Sequence, residues 1–256
     1  MANGRVWEHS EEIRLVQGSQ DLVVPHPYRL LVIEDERDMV HLIGYTLRRA
    51  GYEVFCAATV EEALDLIERI GLPHMAIVDL MLPGAGGFEF CRRVQEFSDL
   101  PILIISAIHD KDTIIRGIRL YAEDYITKPF DPQELVARVE RVLRRIGSFA
   151  YALQPVIRVD NNLAIDFARQ QAYVRGAPVT MTPLETKILY ILMRNAGRPV
   201  STDFLLRRLW PCEEVYEDAL RVHIHRLRQK IEPDPSRASY IITQRGVGYL
   251  FPPASN

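Results

Sequence analysis

A chain of 256 residues, 48% hydrophobic and 25% charged, has room for two packed domains and is not of disordered composition. Its longest apolar runs, such as Leu30–Ile33 and Ile102–Ile105, fall far short of the roughly 20 residues of a membrane helix. Residues 1–18 carry Glu8, Glu11 and Glu12 where a signal peptide needs a continuous apolar stretch, so a cytoplasmic protein without membrane contact is expected.

From Tyr28 the chain alternates short apolar runs with amphipathic segments. Leu30–Ile33, Glu53–Ala57, Met75–Val78, Ile102–Ile105 and Tyr125–Ile126 read as strands. Between and after them, Met39–Ala50, Glu61–Ile70, a segment near Phe88–Glu96, another near Lys111–Leu120, and Pro132–Arg145 read as helices. Such alternation predicts an α/β domain over residues 28–146, a doubly wound five-stranded parallel sheet with helices on both faces. Residues 147–155 form a short linker ending in Pro155, and residues 1–27 are an N-terminal extension without periodicity.

Over residues 156–252 the pattern changes to an α+β winged helix-turn-helix. Ile157–Val159, Leu163–Phe167 and Gln171–Val174 read as antiparallel strands. Thr182-Pro183-Leu184-Glu185 caps a helix that runs to about Asn195 before Gly197, and Ser201–Leu209 and Glu217–Ile231 are further helices. Tyr240–Thr243 and Tyr249–Phe251, across Gly246 and Gly248, read as a closing hairpin.

The net charge of −3 is divided unevenly. Residues 1–154 hold 17 Lys+Arg against 24 Asp+Glu, and residues 155–256 hold 14 against 10, giving −7 and then +4. A basic C-terminal half fits a nucleic-acid-binding module, although +4 is modest. Three scattered cysteines, Cys56, Cys91 and Cys212, offer neither a disulfide framework nor a C-x-x-C pattern. His223 and His225 fall on different faces of a helix, and no structural zinc is expected.

In an open α/β sheet ligands gather at the carboxyl ends of the strands. There the sequence places Glu34 and Asp35 after strand one, Asp79 after strand three, Ser106 at the end of strand four, and Lys128 before Pro129 after strand five. Three gathered carboxylates repel one another unless a cation intervenes, and Mg²⁺ takes hard oxygen ligands of this kind. Asp79 is then a nucleophile for a phosphoryl group, with Lys128 neutralising its oxygens and Ser106 bonding one of them. Singly, Asp79 also reads as a turn former, Lys128 as a solvated lysine and Ser106 as a strand-end cap. A flavodoxin-like cofactor binder is a rival on this sheet, but the acidic run Glu34–Asp38 repels phosphate where that class needs a hydroxyl- and glycine-rich loop.

The runs Val32-Ile33-Glu34-Asp35-Glu36, Val78-Asp79-Leu80-Met81-Leu82-Pro83-Gly84 and Asp124-Tyr125-Ile126-Thr127-Lys128-Pro129-Phe130 resemble the receiver domain of two-component response regulators. The resemblance implies that Asp79 is the phosphoacceptor, that Glu34, Asp35 and Asp79 bind Mg²⁺, that Ser106 and Tyr125 form a switch pair, that Lys128 contacts the phosphoryl group, and that Lys128–Pro129 is cis. Two positions depart from the family pattern: Tyr121 stands where glycine is usual, and Gly86 where an acidic residue is usual.

In Glu217–Ile231 the residues Leu220, Ile224, Leu227 and Ile231 make one apolar stripe, leaving Arg221, His223, His225, Arg226, Arg228 and Lys230 on the other faces. Such a helix either enters a major groove or is an ordinary solvated basic face. Leu220–Arg228 and Arg245-Gly246-Val247-Gly248-Tyr249 resemble the effector domain of the OmpR/PhoB family. By that resemblance His223, His225, Arg226, Arg228 and Thr243 contact double-stranded DNA, with Arg245 reaching the minor groove from the wing; His225 stands where arginine is common. The loop Cys212–Tyr216 corresponds to one that meets RNA polymerase or a neighbouring protomer, while Trp210 reads as core.

The expected function is a phosphorylation-dependent transcriptional regulator rather than an enzyme, served by a sensor histidine kinase. It forms a homodimer through Arg116, Arg119, Glu123, Asp124, Glu134 and Arg138. A regulator with a vestigial site, a nucleotide or flavin binder, and a protein adaptor without DNA binding remain as alternatives.

Overall fold

The computed structural model describes residues 28–108, 110, 115, 117–118, 120–146, 154–211 and 215–253, apart from residue 85. The N-terminal extension, Arg116 and Arg119, linker residues 147–153 and Cys212 lie outside the described residues. So does most of Lys111–Leu120, where the described Ile115, Gly117, Ile118 and Leu120 are helical.

The N-terminal domain is the expected doubly wound sheet. Its strands β1 (Arg29–Ile33), β2 (Glu53–Ala57), β3 (Met75–Val78), β4 (Ile102–Ser106) and β5 (Asp124–Thr127) lie all parallel in the order β2-β1-β3-β4-β5. Its helices are α1 (Arg37–Arg49), α2 (Val60–Ile70), α3 (Gly86–Phe97) and α4 (Pro132–Ile146). Period-two alternation sends Leu31, Ile33, Ala76, Val78, Ile102, Ile104 and Tyr125 into one buried cluster with α2 and α3. Leu30, Val32, Met75, Ile77, Leu103, Ile105 and Ile126 enter another with α1 and α4. Burial on both faces is why these strands are uninterrupted apolar runs.

The strand order reverses between β1 and β3, so the carboxyl ends of these two strands open a crevice at the switch point. At the opposite end of β1, the Arg29 backbone N–H donates to His74 Nδ1 at 2.9 Å. Burial, aided by the Arg29 charge, pushes the His74 pKa down from 6.5 to about 4. The unfolded chain therefore takes up this proton first, and stability present above pH 6.5 is lost as pH falls toward 4. The loss is up to about 1.4 kcal/mol per pH unit. Urea unfolding of His74→Asn is expected to depend less on pH across this window than the wild type; parallel curves would refute that role.

The C-terminal domain opens with an antiparallel sheet of β6 (Ile157–Arg158), β7 (Leu163–Asp166), β8 (Gln171–Val174) and β9 (Ala177–Thr180) in chain order. The last strand was not expected, since the strand reading stopped at Val174; β9 contains Pro178 and is an edge strand, where proline forfeits no ladder bond. Three helices follow, α5 (Pro183–Arg194), α6 (Thr202–Leu209) and α7 (Glu217–Ile231). Thr182 and Glu185 complete a capping box on α5, with Pro183 in the first turn.

Strand β10 (Val200–Ser201) joins β12 (Gly248–Leu250) and β11 (Ile242–Gln244) in a three-stranded antiparallel sheet whose β11–β12 hairpin is the wing. The hairpin starts later than the sequence implied. The buried Glu232 carboxylate takes the backbone N–H groups of Tyr240 and Ile241, at 3.0 and 2.7 Å.

Helix α5 is buried at every residue from Glu185 to Met193. It packs on its own domain and also against α3, and the buried cluster beneath α2 and α3 continues into the C-terminal core.

Candidate functional site

The ends of the parallel strands are locked to one another. The backbone N–H of Glu34 donates to Ala57 O, that of Asp79 to Ile33 O, and that of Lys128 to Ser106 O, at 3.0, 3.0 and 2.9 Å. Glu34 and Asp79 are thereby brought together in a buried crevice. The Lys128 ammonium donates to Glu34 Oε2 at 2.7 Å and to Asp79 Oδ2 at 2.5 Å, while the Met81 N–H donates to Asp79 Oδ1 at 2.8 Å.

Burial pushes the Glu34 carboxyl above its usual range, against the pull of Lys128. For Lys128 burial works against the charge, but the hydrogen bonds and charges of Asp79 and Glu34 outweigh it and raise its pKa. The Lys128–Pro129 peptide is cis, as the resemblance implied.

Ser106 is fully buried, and among the described residues its hydroxyl has no hydrogen-bond partner. It lies close enough to the Tyr125 phenol to pull that group's pKa down, without hydrogen-bond alignment; burial is the larger cause and carries the Tyr125 pKa up. The Tyr125 hydroxyl instead donates to Ile108 O at 3.0 Å.

Asp35 is exposed and lines a neighbouring cavity with Glu34, His41, Cys56 and Glu62. Among the described residues no three Asp, Glu, His or Cys side chains gather into a metal-holding group. Lys128 offsets part of the charge of the carboxylate pair. Tyr121 packs its ring 5.9 Å from that of Phe88 on α3, and Gly86 opens α3 at φ +73°. An acidic side chain at Gly86 would be strained there.

On the C-terminal domain, Leu220, Ile224, Leu227 and Ile231 of α7 are buried as the spacing required. Its basic residues divide into two sets. Arg228 donates to Ile241 O, by Nε at 2.9 Å and by Nη2 at 2.5 Å, and to Thr243 Oγ1 at 2.8 Å, so it ties the helix to the wing. Lys230 donates to Glu185 Oε2 at 2.7 Å and Thr180 O at 2.9 Å, locking α7 onto the capping box of α5. Arg221 pairs with Glu217 and Asp218.

His223 is half-buried with its ring 6.0 Å from that of Trp210, and burial lowers its pKa. Trp210 packs against the core, as expected. His225 and Arg226 on the helix, and Thr243 and Arg245 on the wing, are exposed. Between α6, α7 and the wing lies a cavity lined by Arg221, Thr243 and Arg245 and also by Ser201, Thr202 and Gln244. These last three were not among the expected site residues; the one signal for them in the sequence is a hydroxyl residue opening a helix, and Ser201 caps α6.

The described members of the expected dimer face are already engaged within the chain. Asp124 pairs with Arg138 at 3.0 Å and Arg141 at 2.6 Å, and Glu134 with Arg138 at 2.6 Å. Glu123 pairs with Arg208 of the C-terminal domain at 2.9 Å and with Arg145. Residues 212–214 of the loop assigned to RNA polymerase lie outside the described residues, and Tyr216 is exposed.

Residues 30–140 match the response regulator receiver domain family, and residues 176–251 the family described as transcriptional regulatory protein, C terminal. Over 230 residues the chain is 37% identical to a probable transcriptional regulator ycf27 of Porphyridium aerugineum, covering 87% of this chain and 95% of the relative. The ycf27 protein of Guillardia theta is 36% identical, with 87% and 90% covered. The crystal structure of DrrB, a Thermotoga maritima OmpR/PhoB homologue, aligns over 89% of this chain and 100% of its own, with 29% identity and a TM-score of 0.43. No described helix is long and apolar enough to cross a membrane.

Proposed function

Because this chain belongs to the two-component response regulators of OmpR/PhoB type, transcriptional regulators that join a receiver domain to a DNA-binding domain, we propose that Asp79 accepts a phosphoryl group from a sensor histidine kinase and that the modified protein dimerises and binds promoters. The reading is carried by one observation: the Lys128 ammonium bridges buried Glu34 and Asp79 at the strand ends, near a buried Ser106 hydroxyl without a partner among the described residues.

In the transfer an Asp79 carboxylate oxygen forms the new O–P bond as the N–P bond of the kinase phosphohistidine breaks, and the electron pair of that bond returns to the imidazole. Lys128 neutralises the charge on the transferred oxygens. The Ser106 hydroxyl donates to one of them, which gives that buried group its partner, and Tyr125 responds to the movement of Ser106.

The donor set fits Mg²⁺: two hard carboxylates, Glu34 and Asp79, share a single ammonium, and exposed Asp35 adjoins them at the end of β1. These three residues would hold the ion, which supplies further charge neutralisation on the phosphoryl oxygens.

DNA is met by the exposed cationic surface of α7 and the wing, with Arg226, His225, Thr243 and Arg245 at the duplex. Arg228 and Lys230 act from behind by fixing the wing and the helix. RNA polymerase contact is assigned to the loop ending at Tyr216.

The test uses duplexes selected from a random library. Acetyl phosphate with Mg²⁺ should tighten wild-type binding and leave Asp79→Asn unchanged; indifference of both proteins to the donor would count against the reading. Arg226→Ala with Arg245→Ala should reduce the slope of log K against log salt by about 2, roughly 0.9 for each lost phosphate contact. An unchanged slope would move the DNA face elsewhere.

A further inference from the structure

The seam between the domains is built from a feature that DNA binding does not require. Helix α5 is buried on all sides, and one of those sides is α3 of the receiver. At the edge of this apolar contact, charged groups from both domains meet.

Arg208 of α6 reaches across with its guanidinium fork. Its Nε lies 2.9 Å from Asp99 Oδ1, and its Nη2 lies 2.9 Å from Glu123 Oε1. Arg194, at the end of α5, donates to the Asp99 carbonyl at 2.8 Å. Lys187, buried on the same helix, has its pKa lowered by burial and partly restored by the Asp99 charge. One arginine thus holds two carboxylates from two separate receiver loops, through two different donors of one planar guanidinium.

Glu123 ties this seam to the switch strand. Its backbone N–H donates to Ile102 O at the entry to β5, two residues before Tyr125. Its carboxylate is shared between Arg208 of α6 and Arg145 of α4, while the adjacent Asp124 pairs with Arg138 and Arg141 of α4. The residues leading into the switch strand therefore join the seam to the α4 surface. Glu123 also belongs to the face assigned to the homodimer, and a carboxylate held by Arg208 and Arg145 is not free for a second copy.

We propose that Arg208 is the latch of a domain-closed resting state, and that Arg208 and the partner receiver compete for Glu123. The competition rests on the dimer reading given above. His225, Arg226 and Arg245 stay exposed in the closed state, so the latch governs pairing of two copies and leaves the DNA face open.

The experiment uses the full chain without any phosphoryl donor. Arg208→Glu repels both carboxylates, and Arg208→Gln removes the charge with little change in size. If the glutamate variant loses native circular dichroism, the glutamine variant decides. Amide hydrogen exchange in α3 and α5 reads the seam, and sedimentation equilibrium reads the monomer–dimer Kd.

The latch predicts at least tenfold faster exchange across α3 and α5, together with at least tenfold tighter dimerisation. Glu123→Gln, which removes the contested group itself, should loosen the seam without tightening the dimer. Unchanged exchange in folded Arg208 variants would overturn the latch, and faster exchange with an unchanged Kd would overturn the competition. Because no donor is present, failure of Asp79 to be phosphorylated would sink the phosphotransfer reading and leave these results standing.

Discussion

Lys128→Ala is expected to destabilise the receiver domain by about 3–5 kcal/mol at neutral pH, the usual cost of removing one partner from a buried ion pair. Lys128 is the only cation bonded to the buried Glu34 and Asp79 carboxylates among the described residues. Its pKa is raised in the folded state, so its contribution is fully present below its unfolded value and is lost only as pH climbs through the folded one.

Without Lys128, the pull that restrains Glu34 disappears while burial still disfavours its charge. Glu34 then binds a proton more readily in the folded than in the unfolded state, and the loss of stability should shrink as pH falls. Urea unfolding at about pH 8 and about pH 5 measures this. A variant as stable as the wild type at the higher pH would show that the carboxylates need no ammonium.

The second large effect is expected at a position with no chemistry of its own. A Cβ on Gly87 would lie 2.0 Å from the Asp79 carbonyl oxygen and 2.8 Å from Leu80 Cα, both backbone atoms that no rotamer can move. Helix α3 approaches the end of β3 this closely only because residue 87 has no side chain. Gly87→Ala must push α3 away from the phosphoacceptor loop, at a cost of about 3 kcal/mol. It should also slow phosphoryl uptake, although Asp79, Lys128 and Ser106 are untouched. A folded Gly87→Ala protein that is modified at the wild-type rate would mean that the loop geometry at Asp79 is not what sets reactivity.

How much of this was legible in the sequence depends on how locally each feature is determined. The parallel strands were plain, since burial on both faces writes them as apolar runs, and the chemical residues follow those runs directly. Glu34, Asp79, Ser106 and Lys128 therefore arrive together once the strand order is set. Asp35 follows the same run but is exposed, lining a cavity with Glu34 while Lys128 bridges Glu34 and Asp79.

Other features depend on partners distant in sequence. Strand β9 was hidden by Pro178, whose missing donor is harmless only at a sheet edge. The late start of the wing is set by Glu232, which reaches eight and nine residues ahead for backbone N–H groups. Arg228 and Lys230 read as part of one basic surface with Arg226, and only the fold distinguishes them, because Ile241, Thr243 and Glu185 come from other elements. The latch is the extreme case, with Arg208 and Asp99 separated by 109 positions.

The most direct test of the central claim is intact mass after incubation with acetyl phosphate and Mg²⁺, comparing the wild type with Asp79→Asn. A single phosphate-sized gain in the wild type, absent from the variant, is the predicted result. No gain in either protein, or an equal gain in both, would contradict Asp79 as the phosphoacceptor.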